Sequence, residues 1–412
     1  MSTIVSIDIS RLTTKVDMHK KPYQRRAAEF FAGIGLVRLA LERQGWSTVF
    51  ANDISPDKLD IYRQNFDESV FVLDDIWRLS PADVPDVEMA TACFPCTDIS
   101  LAGEREGLRG RESNAFWGFI RILRAKLEKP PIVIIENVEG LLSSNGGKDF
   151  RAVVHALNEL GYTCDAFMVD SREFVPQSRR RVLIVGAIPY LAEARSSAST
   201  LPDASWARPA SLLRAVGRNA DLKWFFMKVP GAPPLRQAQV KNILERIPTK
   251  SPRWWSEDRV KKLVNQMAGD HRKVLDWAMS CKEEQSLCVY RRTRDNQPRA
   301  EVRADGLAGC LRTATGGSSR QILVVAANGQ VRVRFMTPRE YARLQGVPDT
   351  FKLDVPEGKA LIGLGDAVCV PVIEWLVEHC VEPLIGRNSS RKSCRGGTCP
   401  TSKSLAAVSA SA

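Results

Sequence analysis

Histidine and paired cysteines are scarce in this 412-residue sequence. Its four histidines, His19, His155, His271 and His379, lie far apart, and Cys93/Cys96 is the one CxxC among ten cysteines. A structural zinc site needs four convergent nitrogen or sulfur ligands, so no metal is expected. Scattered thiols without a repeating pattern fit a reducing compartment. Long apolar runs are missing too: stretches such as 132–135 fall far short of the ~20 residues of a spanning helix. No membrane partner is therefore expected. Residues 1–8 have neither the basic start nor the apolar core of a secretion signal, and a soluble cytoplasmic protein is the expectation.

Negative charge is lacking in one region only. Residues 1–186 and 326–385 are near balance, whereas 187–325 hold 24 Lys/Arg against 13 Asp/Glu, and 386–412 hold five against none. A basic block of this kind suits a polyanionic partner. The length predicts two domains with tails. The composition divides the chain into an extension at 1–24, a first domain at 25–186, a basic module at 187–329, a return at 330–385 and a disordered basic tail at 386–412.

From about Ala27, short apolar stretches alternate with amphipathic ones. Residues 27–31, 48–51, 70–73, 87–92 and 132–135 read as strands, with helices over 33–44 and 56–65, and 162–169 and 182–185 add two further strands. This alternation predicts an α/β fold with a doubly wound, mostly parallel sheet, whose ligands bind beyond the carboxyl ends of the strands. After Gly186 the pattern fades. It returns as strands at 322–325 and 331–335 and as an amphipathic helix at 370–381.

Phe31-Ala32-Gly33-Ile34-Gly35 follows the first strand, and Asp53 ends the second. Glycines let a ligand approach the backbone, and an acidic residue ~20 positions on can bind a ribose hydroxyl. Arg38 stands where a dinucleotide motif has its third glycine, which favours a nucleoside over a pyrophosphate ligand. Asp75, after the third strand, is placed to take an adenine amino group. A plain strand-to-helix turn is the alternative for Gly33 and Gly35.

Cys96 lies in the loop after 87–92 and Glu136 follows 132–135, so a thiol and a carboxyl group share one end of the sheet. Cys93 and Cys96 also spell a dithiol. Thioredoxin-type thiols open a helix, however, and these precede a Gly-rich loop, so Cys93 reads as an inert thiol and Cys96 as a nucleophile. Glu136 ends a β-branched run; burial there favours a proton-donating carboxyl group, against the plainer role of a cap or salt bridge. Arg179-Arg180-Arg181 runs into the strand at 182–185, and alternation sends Arg179 and Arg181 to one face. Arg253-Trp254-Trp255, Arg291-Arg292-Thr293-Arg294 and the loop Gly316-Gly317-Ser318-Ser319-Arg320 suit phosphate contact with stacking, solvated surface being the alternative.

In this order the pieces resemble the DNA (cytosine-5)-methyltransferase family, over most of 27–186 and 330–373. Phe31-Ala32-Gly33-Ile34-Gly35 is similar to its S-adenosylmethionine motif, Asn52-Asp53 to the ribose motif and Asp75-Ile76 to the adenine motif. Phe94-Pro95-Cys96 resembles the catalytic loop, Glu136-Asn137-Val138 the acid motif, and Gln177-Ser178-Arg179-Arg180-Arg181 the Gln-x-Arg-x-Arg pattern. Thr337-Pro338-Arg339-Glu340 and Gly365-Asp366-Ala367-Val368 match the last motifs.

The resemblance implies a Rossmann-like methyltransferase sheet at 25–186, completed by 330–385, with a target-recognition domain at 187–329. It implies S-adenosyl-L-methionine as cofactor, held by Phe31, Ala32, Gly33, Ile34, Gly35, Asp53, Ile54, Asp75, Ile76, Pro95, Asp366 and Ala367. Cys96 would attack C6 of a flipped-out cytosine, with Glu136 at N3 and Arg181, with Arg179, at O2. Arg253, Arg291, Arg292, Arg294 and Arg320 would contact double-stranded DNA. The expected protein is a monomer, with a possible companion restriction enzyme, near the nucleoid of a bacterium or phage-infected cell. A tRNA cytosine-5 methyltransferase and a catalytically silent DNA-binding protein are the alternatives. The sequence departs from the family at Cys93 and Thr97, where Gly and Gln usually flank the catalytic triplet, at Leu36 for Gly, at Asp53 for Glu and at Asp366 for Asn.

Overall fold

The unbroken apolar runs of the sequence become the middle of a sheet, as strands covered on both faces do. A computed structural model describes residues 25–99, 106–196, 200–233, 239–294, 297–313 and 320–386. Its first part runs β1 (Arg26–Phe30), α1 (Leu36–Arg43), β2 (Ser47–Asp53), α2 (Pro56–Tyr62), β3 (Phe71–Leu73), β4 (Met89–Ala92), α3 (Ala115–Ala125), β5 (Ile132–Val138), α4 (Lys148–Glu159), β6 (Thr163–Asp170) and β7 (Arg180–Ala187). These seven strands form one sheet in the order β3-β2-β1-β4-β5-β7-β6. Only β7 runs antiparallel to its neighbours. Every residue of β4 is buried, and β5 is buried through Asn137. The expected extension at 1–24, and the expected tail beyond Gly386, lie outside the described residues.

The next segment, α5 (Pro189–Arg195) and α6 (Ala210–Gly217), stays with the large sheet. Met168 N–H donates to Ala207 O at 2.8 Å, Cys164 N–H donates to Lys223 O at 3.0 Å, and Arg208 pairs with the buried Asp165 at 2.5 Å. The separate module therefore begins well after the expected 187. It consists of α7 (Glu257–Asn265) and α8 (Asp270–Ser280) with β8 (Gln285–Arg294), β9 (Gln297–Arg303), β10 (Ile322–Ala327) and β11 (Gln330–Phe335). Those strands form an antiparallel sheet in the order β11-β10-β8-β9. The expected boundary at 329/330 falls inside the β10–β11 hairpin, where Ala327 pairs with Gln330. Asn328 and Gly329, at φ 49° and 76°, make the two-residue turn that twisted antiparallel strands favour, so the second sheet extends to Phe335.

The chain then returns to the first domain through α9 (Pro338–Leu344), α10 (Glu357–Asp366), α11 (Val370–Leu376) and α12 (Glu382–Ile385). Glu340 closes a capping box with Thr337 and takes a buried two-pronged pair from Arg334 at 2.6 and 2.7 Å, tying α9 to β11. The run Glu357–Ile385 is long and apolar enough to cross a membrane by length and composition, unlike any run noted in the sequence. Its apolarity serves the core instead: 72% of its most apolar window is buried inside the protein, and the helix breaks at 367–369.

Candidate active site

Strand order reverses between β1 and β4, so the connections after these strands diverge and leave a crevice at their carboxyl ends. The glycine turn follows β1. Phe31, Gly33 and Gly35 all have left-handed backbone, at φ 59°, 59° and 83°, which folds the chain sharply into α1. A side chain at Gly35 is excluded, because its Cβ would lie 2.5 Å from the Phe66 ring. Asp53 pins the turn: Oδ2 accepts the Gly33 N–H at 2.8 Å and Oδ1 accepts the Ser55 N–H at 2.9 Å. The expected ribose ligand is thus also the anchor of the glycine turn.

The loop after β4 carries the thiol. Asn137 Nδ2 donates to Phe94 O at 3.1 Å and Ser113 Oγ to Pro95 O at 3.0 Å, so the backbone on either side of the proline is held. Asp98 accepts the N–H groups of Glu112 and Ser113 at 3.0 and 2.8 Å, folding the chain beyond the Gly-rich stretch back onto the loop. Residues 100–105 of that stretch lie outside the described residues. Cys93 and Cys96 are both free thiols in a stretch without regular secondary structure that leads into a turn, which is not how a thioredoxin-type dithiol begins. Burial pushes the Cys96 thiol up and Glu136 adds to this, while Arg181 and Arg179 pull it back. Cys93 is pushed well above its ordinary range by burial, Glu136 and Glu29.

Glu136 lies inside β5 and not in a loop after it. Beyond Ile135, where pairing with β4 stops, β7 continues to pair and carries the strand to Val138. Arg181, opposite Val138, brings its Nε 2.9 Å from Glu136 Oε1 in an ion pair too bent to count as a hydrogen bond. Gln177, Arg179 and Arg181 step along one face as alternation predicts, yet they meet different partners. Gln177 accepts the Leu311 N–H at 3.0 Å and donates to Leu344 O at 2.8 Å. Arg179 was expected beside Arg181 on a substrate. Its guanidinium instead donates to Leu311 O at 2.9 Å, Gly365 O at 3.3 Å and Ala367 O at 2.8 Å, lacing two distant backbone segments together. Cys310, which carries no signal in the sequence, lies 3.5 Å from Arg179 Nη1. Burial opposes ionisation of its thiol, but Arg179 and Arg181 outweigh this and hold it below its ordinary value.

Around the glycine turn, Lys58 Nζ stands 3.3 Å from Asp366 Oδ2, and Thr313 Oγ1 donates to Asp366 Oδ1. A lysine in the first turn of a short helix is unremarkable in sequence, so Lys58 carries no motif signal. Gly365 admits no side chain, since its Cβ would lie 2.3 Å from Arg312 O. Asp75 Oδ1 accepts the Trp77 N–H at 3.0 Å. Ile54 is exposed, whereas Ile76 is buried, 2.7 Å from where a Cβ on Gly118 would be, and belongs to the core. Ala367 contributes its carbonyl to Arg179 and Gln345. Phe31 to Gly35, Asp53, Asp75, Lys58 and Asp366 together could hold a nucleoside with a charged tail.

The expected DNA contacts divide. Arg253 and Arg320 both pair with Glu357, at 2.9 and 2.5 Å, and Arg292 stacks 4.8 Å over Tyr290 beside Glu301. Arg291 and Arg294 lie on β8, while Gly316 to Ser319 lie outside the described residues. Arg259, which no sequence motif marks, sits 3.8 Å over the Trp255 ring, its ionisation disfavoured by burial and by Arg291 and Arg320.

The fold is a known one. It is similar to that of the Entamoeba histolytica methyltransferase EhMeth, with a TM-score of 0.58 and 16% identity over 89% of this chain and 98% of that one. The C-5 cytosine-specific DNA methylase family model matches residues 25–382, and the chain belongs to that family. It is 28% identical over 360 residues to the Type II methyltransferase M.NgoBI of Neisseria gonorrhoeae, covering 86% of this chain and 92% of the relative. It is also 28% identical over 361 residues to M.HaeII of Haemophilus aegyptius, covering 87% and 93%. The protein is accordingly a DNA cytosine-C5 methyltransferase, a class whose reaction implies S-adenosylmethionine as cofactor.

Proposed function

We propose that the protein methylates C5 of a cytosine turned out of a specific duplex DNA sequence, through a covalent bond between Cys96 and C6. The observation that carries this reading is the convergence of Cys96, Glu136 and Arg181 beside the crevice, with Arg181 2.9 Å from Glu136 and both acting on the Cys96 thiol. Cytosine C5 is a poor nucleophile. Addition of the Cys96 thiolate to C6 converts the ring to an enamine, whose C5 can accept a methyl group. Glu136 meets N3, and Arg181 meets O2 and the charge that develops as the C–S bond forms. Loss of the C5 proton then lets the thiolate leave and restores the ring.

The chain's glycine turn, Asp53, Asp75 and Asp366 fit S-adenosyl-L-methionine, which supplies the electrophilic methyl group when bound. Turning the base out costs a few kcal/mol, offset by contacts to the phosphates and the pocket. The second domain, with Arg259, Arg291 and Arg292, supplies the phosphate contacts. The names of the relatives suggest a modification enzyme with a companion restriction enzyme, and a monomer suffices for the reaction. Duplex DNA incubated with methyl-labelled cofactor is expected to carry label at cytosine C5, and Cys96→Ser to carry none. Undiminished labelling by Cys96→Ser refutes the covalent route; label entering tRNA in competition with DNA selects the alternative substrate; no transfer to either leaves the silent DNA-binding protein.

A further inference from the structure

The ion pair of Lys58 and Asp366 has no evident role in holding the fold. α2 and α10 are already joined by Lys359, which reaches Asp57 at 2.6 Å and Asp60 at 3.6 Å. Lys58 and Asp366 both keep part of their side chains open, 23% and 32%. The Lys58 stem crosses the glycine turn, with Cδ 4.0 Å from where a Cβ on Gly33 would be. Behind Asp366, Gly365 is packed on the Arg312 carbonyl, which leaves no room for a side chain at 365. Thr313 holds Oδ1 and leaves Oδ2 as the oxygen that faces Lys58. An asparagine at 366, usual in the family this sequence resembles, needs no counter-ion; an aspartate does.

We propose that Lys58 and Asp366 bind the amino-acid end of S-adenosylmethionine, Lys58 taking its carboxylate and Asp366 its ammonium. The inference rests on the cofactor reading above. The protein's own ion pair opens into two as the zwitterion enters, so no charge is left without a partner in either state. Lys58 keeps the proton that carboxylate binding requires, because Asp53 and Asp366 outweigh the effect of burial on its charge.

The test is equilibrium binding by calorimetry of three ligands: S-adenosylmethionine, its decarboxylated form and 5′-methylthioadenosine, which lacks the amino-acid end. Wild type is expected to prefer S-adenosylmethionine over the decarboxylated form by about tenfold to a hundredfold, the range of one charge-assisted hydrogen bond. Lys58→Ala is expected to erase that preference while binding 5′-methylthioadenosine within about twofold of wild type, and Lys58→Arg to retain it. Retention of the full preference by Lys58→Ala overturns the proposal. Should Lys58→Ala lose 5′-methylthioadenosine as well, Asp366→Ala must lose S-adenosylmethionine while keeping 5′-methylthioadenosine; if it loses both, the pair is scaffold and the proposal falls. Failure of wild type to bind any of the three overturns the cofactor reading itself, which distinguishes the two failures.

Discussion

Replacing Glu29 by glutamine should flatten the dependence of stability on pH. Glu29 lies on β1 between β2 and β4, is 1% exposed, and has, among the described residues, no hydrogen-bond partner of good geometry at either carboxyl oxygen. Burial pushes its carboxyl group up to about 8 from an ordinary 4.5; Arg38 opposes the rise, and Asp53 and Glu42 add to it. The folded protein therefore holds this proton more tightly than the unfolded chain. The stability it contributes is complete below about 4.5, shrinks as pH rises, and is gone above about 8. At ~1.4 kcal/mol per pH unit, the span from pH 5 to about 8 corresponds to roughly 4 kcal/mol, with little further change up to pH 9. A glutamine amide would be buried without partners at a cost of about 1–3 kcal/mol, but that cost does not vary with pH.

The informative quantity is thus the gap between the two proteins. Urea unfolding at steps from pH 5 to 9 is the assay. Glu29→Gln is expected to gain on wild type by roughly 4 kcal/mol across that range, other titrating groups cancelling in the difference. A gap that stays constant within about 1 kcal/mol would refute the assignment of a buried, protonated carboxyl group beneath the glycine turn.

Two further expectations concern the site. The Cys96 thiol lies above its ordinary 9.0, so iodoacetamide labelling of Cys96 in the free protein should accelerate steadily from pH 7 to 9, by about tenfold per pH unit. A plateau below pH 8 would show a thiolate already formed. Arg179→Met removes its donors from three backbone carbonyls, those of Leu311, Gly365 and Ala367, of which Ala367 keeps Gln345, and should lower unfolding stability by about 2–4 kcal/mol. A loss below about 1 kcal/mol would mean that Arg179 is not the lace between these segments.

Sequence by itself determined the central sheet and the ends of its strands. Residues 132–135 are apolar without alternation, and 89–92 are apolar but for Thr91, because both faces are covered, and this signal is local. It also placed the glycine turn and the Cys96 loop at adjacent strand ends, since those positions follow from the strands. The Asn328-Gly329 turn was equally legible and would have placed β11 in the second domain.

Only the tertiary structure decided what the polar side chains touch. Glu136 belongs to a strand because β7, more than 40 residues later, supplies partners after β4 has ended. Arg179 and Arg181 share a face, but one meets backbone carbonyls from 311 to 367 and the other meets Glu136. Lys58 and Asp366, separated by 308 positions, form a pair that no periodicity announces. Apolar burial is non-directional and leaves its period in the chain, whereas a hydrogen bond or ion pair is set by the one atom that the fold brings within reach.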